Sequence, residues 1–308
     1  MHLVIGAHGY AGSHAVSALR EHVRVRCAEP GEDLAAAMRR VEVVHVAVDL
    51  HSPFERLRWR RGRTPDALLV QVVAQARAAG VRRIVYLSPI SVYGFTRDGR
   101  VSERTALRPE HPYERLVARD EGWLREREEP EVVVLRAAQG FGAGEPVLTR
   151  LLQRMAVARL LLPAGGRARR TFLAGADLGR AVAAAGLRGE AGAAYLAGGF
   201  DGCWWELLEA AALTLGVTPR LTWLAYDFAY LAASSHAAPV AEGGCCPTPF
   251  MVDLLAKPQT VEDGWSRREL GWEPRITSFA AGLGDLAEWY EGALAAEPAT
   301  GPGAPRLA

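Results

Sequence analysis

Leu3-Val4-Ile5-Gly6-Ala7-His8-Gly9-Tyr10-Ala11-Gly12-Ser13-His14-Ala15-Val16 is the stretch that decides the fold. Three β-favouring apolar residues run into Gly-x-x-Gly-x-x-Gly, and an Ala-rich helix near residues 11–21 follows. Glycines allow a tight turn and a close backbone approach to a pyrophosphate. The phosphate charge then sits on the free N–H groups and positive dipole end of the helix. Beyond that helix, His22 to Cys27 alternates as a strand, and Glu32 to Arg40 reads as a short helix. Val43 to Val48 is apolar on both faces, as a central parallel strand is. Asp66 to Ala79 carries Leu69, Val72, Val73 and Ala76 on one helical stripe and stops at Gly80. Ile84 to Ser88 is the next strand, Tyr113 to Arg127 a helix, and Val132 to Leu135 another strand. Strands alternating with helices imply an α/β protein with a doubly wound parallel sheet.

The chain has 308 residues, 49% of them apolar, enough to bury a full core without staples. Its 36 basic and 35 acidic residues nearly cancel, which argues against a nucleic-acid partner. No apolar run reaches the roughly 18–20 residues of a membrane helix, so no membrane partner is expected. The apolar start ends at Gly6, too early for a secretory signal, and a soluble cytoplasmic protein is expected. Cys27, Cys203, Cys245 and Cys246 lack any paired spacing, and no His or carboxylate pair has ligand spacing, so no metal is assigned. Lys257 is the only lysine, and any lysine chemistry has that one candidate.

Past about residue 143 the pattern changes to helices at 146–160, 177–187, 204–215 and 279–295, joined by Gly- and Pro-rich loops. This divides the chain into a dinucleotide-binding part, residues 1–143, and a mainly substrate-binding part, residues 144–295. Ala232 to Phe250 has turn composition and reads as a long loop or lid, and residues 296–308 as a disordered tail. Glu29 ends the second strand, seventeen residues past Gly12, where a carboxylate accepts hydrogen bonds from an adenosine ribose and favours NAD. His8, Arg24 and Arg26 pull towards a 2′-phosphate, so the choice between NAD and NADP stays open.

With these elements in place the sequence resembles the extended short-chain dehydrogenase/reductases, the NAD-dependent epimerase/dehydratase family. The likeness rests on the glycine turn, on Val44-His45-Val46-Ala47, and on Leu87-Ser88-Pro89-Ile90-Ser91-Val92-Tyr93-Gly94. It continues with Pro112-Tyr113 opening a helix, Leu135-Arg136 before a Gly-rich turn, Arg170-Thr171-Phe172, and Glu269-Leu270-Gly271-Trp272-Glu273-Pro274. The resemblance implies a Rossmann-type fold, a smaller C-terminal substrate domain, a cleft between them, and a possible homodimer. It places Gly6, His8, Gly9, Tyr10 and Gly12 along the cofactor, with Arg26, Glu29, Ala47 and Val117. Only about 15 residues separate the second strand from Val43, where the family usually has a further strand.

Such enzymes transfer protons with a Ser or Thr, a Tyr, and a Lys four residues after the Tyr. Tyr113 matches the tyrosine, but the lysine position is Val117 and the Ser/Thr position is Pro89. Without a neighbouring ammonium a phenol stays near its ordinary pKa of ~10, so tyrosinate at neutral pH costs ~4 kcal/mol. Alcohol oxidation, the first step of an epimerase or dehydratase, needs that base. Carbonyl reduction needs only a donor where charge develops on oxygen. Ser88 and Ser91 flank Pro89 and are candidate donors, Ser91 the better, although strand-end serines also cap backbone.

On the substrate side, Gln139 stands where the family offers an Asn to a nucleotide-sugar phosphate. Arg170 matches a diphosphate-binding arginine, with a solvated charge as its plain reading. Lys257 stands near a second phosphate arginine. Aromatics of the second half (Trp204, Trp205, Trp223, Tyr226, Phe228, Tyr230, Phe250 and Trp265) suggest a wide cleft for a bulky substrate, Trp223 and Tyr226 foremost, or ordinary packing. His111 reads as a solvent-exposed loop residue or a proton relay, His14 as helix surface, and Tyr93 as structural. The expectation is an NAD(P)H-dependent ketoreductase that reduces a carbonyl of a bulky, aromatic or polyketide-like small molecule. A nucleotide-sugar epimerase or dehydratase, or a non-catalytic NAD(P) sensor, are the alternatives.

Overall fold

The computed structural model describes residues 1–48, 53–54, 65–96, 98–157, 159–235 and 248–296. From the N terminus, β1 (His2–Ile5), α1 (Tyr10–Arg20), β2 (Val25–Ala28), α2 (Leu34–Ala37), β3 (Val43–Val46), α3 (Ala67–Ala78) and β4 (Arg83–Pro89) alternate strand with helix. Next come β5 (Arg100–Ser102), α4 (Pro112–Arg125), β6 (Glu131–Ala137), β7 (Gln139–Phe141), α5 (Pro146–Val157), β8 (Leu160–Pro163) and β9 (Arg170–Ala174). They lead to α6 (Gly175–Arg188), β10 (Ala194–Ala197), β11 (Phe200–Gly202), α7 (Trp204–Thr214), β12 (Leu221–Leu224) and α8 (Tyr226–Ser234). The described chain ends with α9 (Pro249–Ala256), β13 (Thr260–Glu262), α10 (Gly264–Leu270), α11 (Phe279–Gly282) and α12 (Leu286–Ala296).

Six strands form one parallel sheet in the order β10-β6-β4-β3-β1-β2. Successive side chains of a strand point to opposite faces, and both faces of this sheet are covered. Leu3, Ile5, Val44, Val46 and Ile84 pack with Leu69, Val72 and Ala76 of α3. Val4, Val43, Val85 and Val133 pack with Ala15 and Leu19 of α1 and Ala181 and Ala185 of α6. The fold is the Rossmann-type α/β arrangement that the sequence implies, with β2 at the sheet edge. The further strand usual in the family is absent, because α2 is a single turn capped by Asp33 before the chain returns to β3.

The tight packing of α1 on α6 corrects the expectation that His14 lies on the helix surface. A Cβ at Gly175 would stand 2.0 Å from the His14 ring and one at Gly179 would stand 2.2 Å from the His14 carbonyl oxygen. The imidazole is half-buried between the helices and its burial lowers its pKa. Helix 279–295 is instead two helices, α11 and α12. Gly282 lies where a Cβ would stand 2.5 Å from the Phe141 ring, and Gly284 follows it; two glycines within three residues weaken a helix interior. Of the expected loop from Ala232 to Phe250, the ends belong to α8 and α9, while 236–247 lies outside the described residues. The tail from 297 onwards also lies outside them.

At one end of the sheet His2 Nδ1 lies 3.0 Å from His45 Nε2, both rings buried. Burial lowers the His2 pKa from 6.5 to about 4, and burial beside His2 lowers that of His45 further. The unfolded chain therefore binds more protons than the native one below about pH 6.5, so the pair contributes stability above that pH and loses it as pH falls. Urea unfolding at about pH 7.5 and about pH 5 is expected to show a lower midpoint at the acid value. His45→Asn, which titrates no longer, is expected to shrink that difference.

The remaining strands make small sheets: β11-β9-β7, β12-β8 and β13-β5. Gln139 of β7 stands opposite Phe172 of β9, so by strand alternation Gln139 and Arg170 emerge on the same face.

Candidate active site

The glycine turn leaves no room for side chains. Gly6 has φ +83°, and a Cβ there would stand 2.3 Å from Val48 Cγ2. At Gly12 a Cβ would stand 1.9 Å from the Gly6 carbonyl oxygen, so the turn and the first helical turn touch backbone to backbone. Gly9 is the N-cap of α1 and no side chain caps that helix end. Helix N–H groups and the positive dipole end thus face the cavity.

That cavity, about 390 Å³, runs along the C-terminal ends of the parallel strands. In the strand order β2-β1-β3-β4-β6, Gly6, Gly9 and Glu29 line one end, Ala47 and Leu87 to Ser91 the middle, and Gln139 with Tyr113 and Arg170 the other, while the Tyr10 hydroxyl reaches across to the Phe141 carbonyl at 2.7 Å. Ten of the residues singled out from sequence are therefore brought to one cleft: Gly6, Gly9, Tyr10, Glu29, Ala47, Ser88, Ser91, Tyr113, Gln139 and Arg170.

Glu29 Oε1 accepts the His8 backbone N–H at 2.9 Å and lies 3.1 Å from His8 Nδ1. It is held at the end of β2 beside the glycine turn. The cradle fits a nicotinamide dinucleotide: a side-chain-free turn, an uncapped helix end for the pyrophosphate, and a carboxylate for the ribose. Arg26 is committed elsewhere, its Nη1 donating to the carbonyls of Ala37 at 2.5 Å and Arg39 at 3.0 Å. That corrects its expected place on the cofactor. His8 lies outside the lining with its side chain exposed, and Gly12 lies beneath Gly6.

At the other end, Tyr113 is the second residue of α4, buried, with its ring 4.7 Å from that of Phe250. Val117, one turn on, is buried and apolar and does not line the cavity, so no ammonium stands at the lysine position. The two serines differ. Ser88 Oγ donates to Glu121 Oε2 at 3.1 Å, inside a buried network in which Arg136 pairs with Glu121 and donates to the Tyr93 hydroxyl at 2.6 Å. Ser91 Oγ is buried in the cavity wall without a hydrogen-bond partner. A buried hydroxyl left unmatched is costly, which marks it as available to a ligand. Beside Tyr113, burial pushes the Glu114 carboxyl up to about 7 although it accepts the Glu110 and His111 N–H groups.

Arg170 is not the solvated charge of its plain reading. It is 1% exposed; Nη1 donates to the Lys257 carbonyl at 3.1 Å and Nη2 to Gln259 Oε1 at 2.9 Å, while Nε has no partner. No carboxylate among the described residues forms an ion pair with it, and burial lowers its pKa to about 9. A buried cation without a counter-ion, set in a cleft wall, fits an anionic ligand. Lys257 does not share that role: its amine is 2.9 Å from Asp253 Oδ2. Gln139 Nε2 donates to the Gly140 carbonyl at 3.0 Å and to Glu145 Oε1 at 3.3 Å.

Other expectations are corrected. Trp223 is 63% exposed and lies outside the lining, and the Tyr226 hydroxyl donates to Asp253 Oδ1 at 2.7 Å, also outside it. Among the eight aromatics of the second half only Phe250 lines the cavity. His111 is buried rather than exposed, its Nε2 2.8 Å from Asp253 Oδ2. Sequence reasoning missed Glu145, Gln259 and Leu254 as lining residues. Glu145 N-caps α5 through the Leu148 N–H at 2.6 Å, and a Glu before a proline gave no sign of facing a cleft.

A Rossmann-type sheet with a side-chain-free glycine turn and a hydroxyl-lined cleft at its strand ends defines a dinucleotide-binding enzyme of the oxidoreductase type. The profile of the NAD dependent epimerase/dehydratase family matches residues 43–198, and the chain belongs to that family. No curated protein sequence matches it. Among solved structures it is similar to gox2253 (TM-score 0.74, 20% identity, 95% of this chain and 98% of that one). It is also similar to a double mutant of DesIV, a dTDP-glucose 4,6-dehydratase from Streptomyces venezuelae with NAD and DAU bound (TM-score 0.70, 22% identity, 94% and 97% covered). A third is UDP-glucuronic acid 4-epimerase from Bacillus cereus in complex with NAD (TM-score 0.73, 16% identity, 97% and 99% covered). At these identities the likeness is one of fold. No described helix is long and apolar enough to cross a membrane, and no described group of His, Cys, Asp or Glu could hold a metal ion.

Proposed function

We propose that the protein is an NADH-dependent carbonyl reductase acting on a small molecule that carries an anionic group. The observation that carries this reading is the pairing of Tyr113 with an apolar Val117 in a cleft whose Ser91 hydroxyl is unmatched. A bound dihydronicotinamide would supply the hydride. Both Ser91 and Tyr113 line that cleft, and a substrate carbonyl oxygen would accept from their hydroxyls as charge develops. Tyr113 gives up its proton to that oxygen and regains one from solvent. Arg170 and Gln139, which line the same cleft, would hold the anionic group. The division near residue 143 belongs to this reading, the glycine-turn half holding the dinucleotide and the later half most of the substrate.

The cofactor preference follows from Glu29, whose carboxylate opposes a 2′-phosphate, while Arg26 is turned to its own backbone partners. Glu29→Ser is expected to weaken NADH binding and to narrow or reverse the preference over NADPH, read by fluorescence titration of both. A hydrogen-bonded carboxylate contributes about 1.5–3 kcal/mol, so a roughly tenfold or larger change in the ratio is expected.

Arg170 also favours a second reading, a nucleotide-sugar epimerase or dehydratase with a substituted catalytic set. One experiment separates the two. NADH and NADPH are titrated, and the preferred one is offered with a panel of anionic and neutral carbonyl compounds, beside UDP- and dTDP-sugars. Oxidation of the nicotinamide by an anionic carbonyl compound supports the reductase. Sugar-nucleotide conversion without net cofactor consumption supports the second reading. Dinucleotide binding with no turnover leaves a non-catalytic sensor.

A further inference from the structure

Behind the wall of the cleft lies a buried polar cluster centred on Asp253 of α9, itself 1% exposed. Its Oδ2 accepts from His111 Nε2 at 2.8 Å and from Lys257 Nζ at 2.9 Å, and its Oδ1 from the Tyr226 hydroxyl at 2.7 Å. The partners come from three places in the fold. His111 is the N-cap of α4, Lys257 the C-cap of α9, and Tyr226 opens α8.

Two of these partners adjoin residues that line the cleft. His111 sits two residues before Tyr113, and its own ring packs edge-on to Phe250 at 5.7 Å. Phe250, one helical turn before Asp253, lies against the Tyr113 ring. The Lys257 carbonyl accepts from Arg170 Nη1. The carboxylate thus ties the start of the helix bearing Tyr113, the helix bearing Phe250, and the carbonyl that anchors Arg170. None of these ties reaches the glycine turn.

We propose that Asp253 is the positioning residue of the substrate end of the cleft, setting Tyr113 through His111 and Phe250, and Arg170 through Lys257. This rests on the reading of Tyr113 as proton donor for its effect on turnover, but not for its effect on local order. A salt bridge that only stabilised the fold would act on the whole molecule when broken. A positioning carboxylate acts at one end.

The test compares Asp253→Asn, Asp253→Ala and Tyr226→Phe with the unmodified 308-residue chain. Asp253→Asn keeps the shape and one acceptor oxygen but loses the second acceptor and the charge that holds Lys257. NADH affinity is expected to be unchanged in all three. With the best carbonyl substrate, kcat is expected to fall by about tenfold to a hundredfold in Asp253→Ala, less in Asp253→Asn and least in Tyr226→Phe. Amide hydrogen exchange on the ligand-free proteins is expected to quicken at 111–116 and 253–259 in both Asp253 variants, with residues 9–20 unaffected.

Exchange that is unaltered at 111–116, or quickened equally at 9–20, would overturn the proposal, as would a loss of NADH binding in step with turnover. If the unmodified protein reduces no carbonyl compound, the functional reading fails. The exchange pattern still decides the role of Asp253.

Discussion

Tyr113→Phe is expected to lower kcat for carbonyl reduction by about 10²- to 10⁴-fold, the range for loss of a general acid, with NADH affinity unchanged. The phenol is buried at the end of the cleft beyond the glycine turn, and its ring is fixed against Phe250. Phenylalanine keeps that packing, so the loss reads the hydroxyl alone. Stopped-flow measurement of nicotinamide oxidation under single-turnover conditions separates chemistry from product release. Ser91→Ala is the internal control: its hydroxyl has no partner to strand, so its loss costs the fold little and any drop in kcat reports catalysis. Turnover that survives Tyr113→Phe undiminished would move the proton donor to Ser91 or to the substrate itself. The direction of the reaction is part of the same argument. With Val117 where an ammonium would stand, nothing at that position stabilises tyrosinate, and the alcohol-oxidising direction is expected to be disproportionately slow.

Arg170→Met is expected to cost about 2–3 kcal/mol of affinity for an anionic ligand, roughly 30- to 150-fold, as titration calorimetry with UDP or pyrophosphate would show. The guanidinium is buried with no carboxylate partner among the described residues and its Nε unmatched, so it bears a desolvation cost that only an anion relieves. The unfolding midpoint of the ligand-free variant is therefore expected to stay near that of the unmodified chain: lost bonds to Lys257 and Gln259 offset relief from a buried charge. The sign with pH is also fixed. The arginine is charged below its lowered pKa of about 9, so affinity is expected to hold from pH 7 and decline as pH rises through 9. An anion affinity indifferent to both the substitution and the pH would remove Arg170 from the site.

The glycine turn, the parallel strands and the missing lysine were legible in the sequence because each is a local fact. A strand of Leu3-Val4-Ile5 followed by three glycines needs no distant partner to be read, and Val117 is counted four places from Tyr113. Even the trimmed edge of the sheet followed from the few residues between Cys27 and Val43. Side-chain environment was legible far less. His14 read as helix surface, and the plain readings of His111 and Arg170 were a solvent-exposed loop and a solvated charge; each is wholly or partly buried, because what buries them comes from elsewhere: α6 against His14, Asp253 against His111, Gln259 against Arg170. Trp223 and Tyr226 erred in the other direction, since aromatic content alone does not say which face of an element meets the cleft.

Residue identity alone was enough to show that a strand, a glycine turn and a helix open the chain, and that Val117 stands where the family has its catalytic lysine. Both are matters of residue identity and short-range spacing, where backbone sterics and chemistry act directly. Only the tertiary structure decided which serine is unmatched, that Arg170 stands buried without a counter-ion, and that one carboxylate gathers His111, Lys257 and Tyr226. Hydrogen bonds and desolvation depend on groups brought together from distant parts of the chain, up to 142 residues apart for His111 and Asp253, and no local pattern records that meeting.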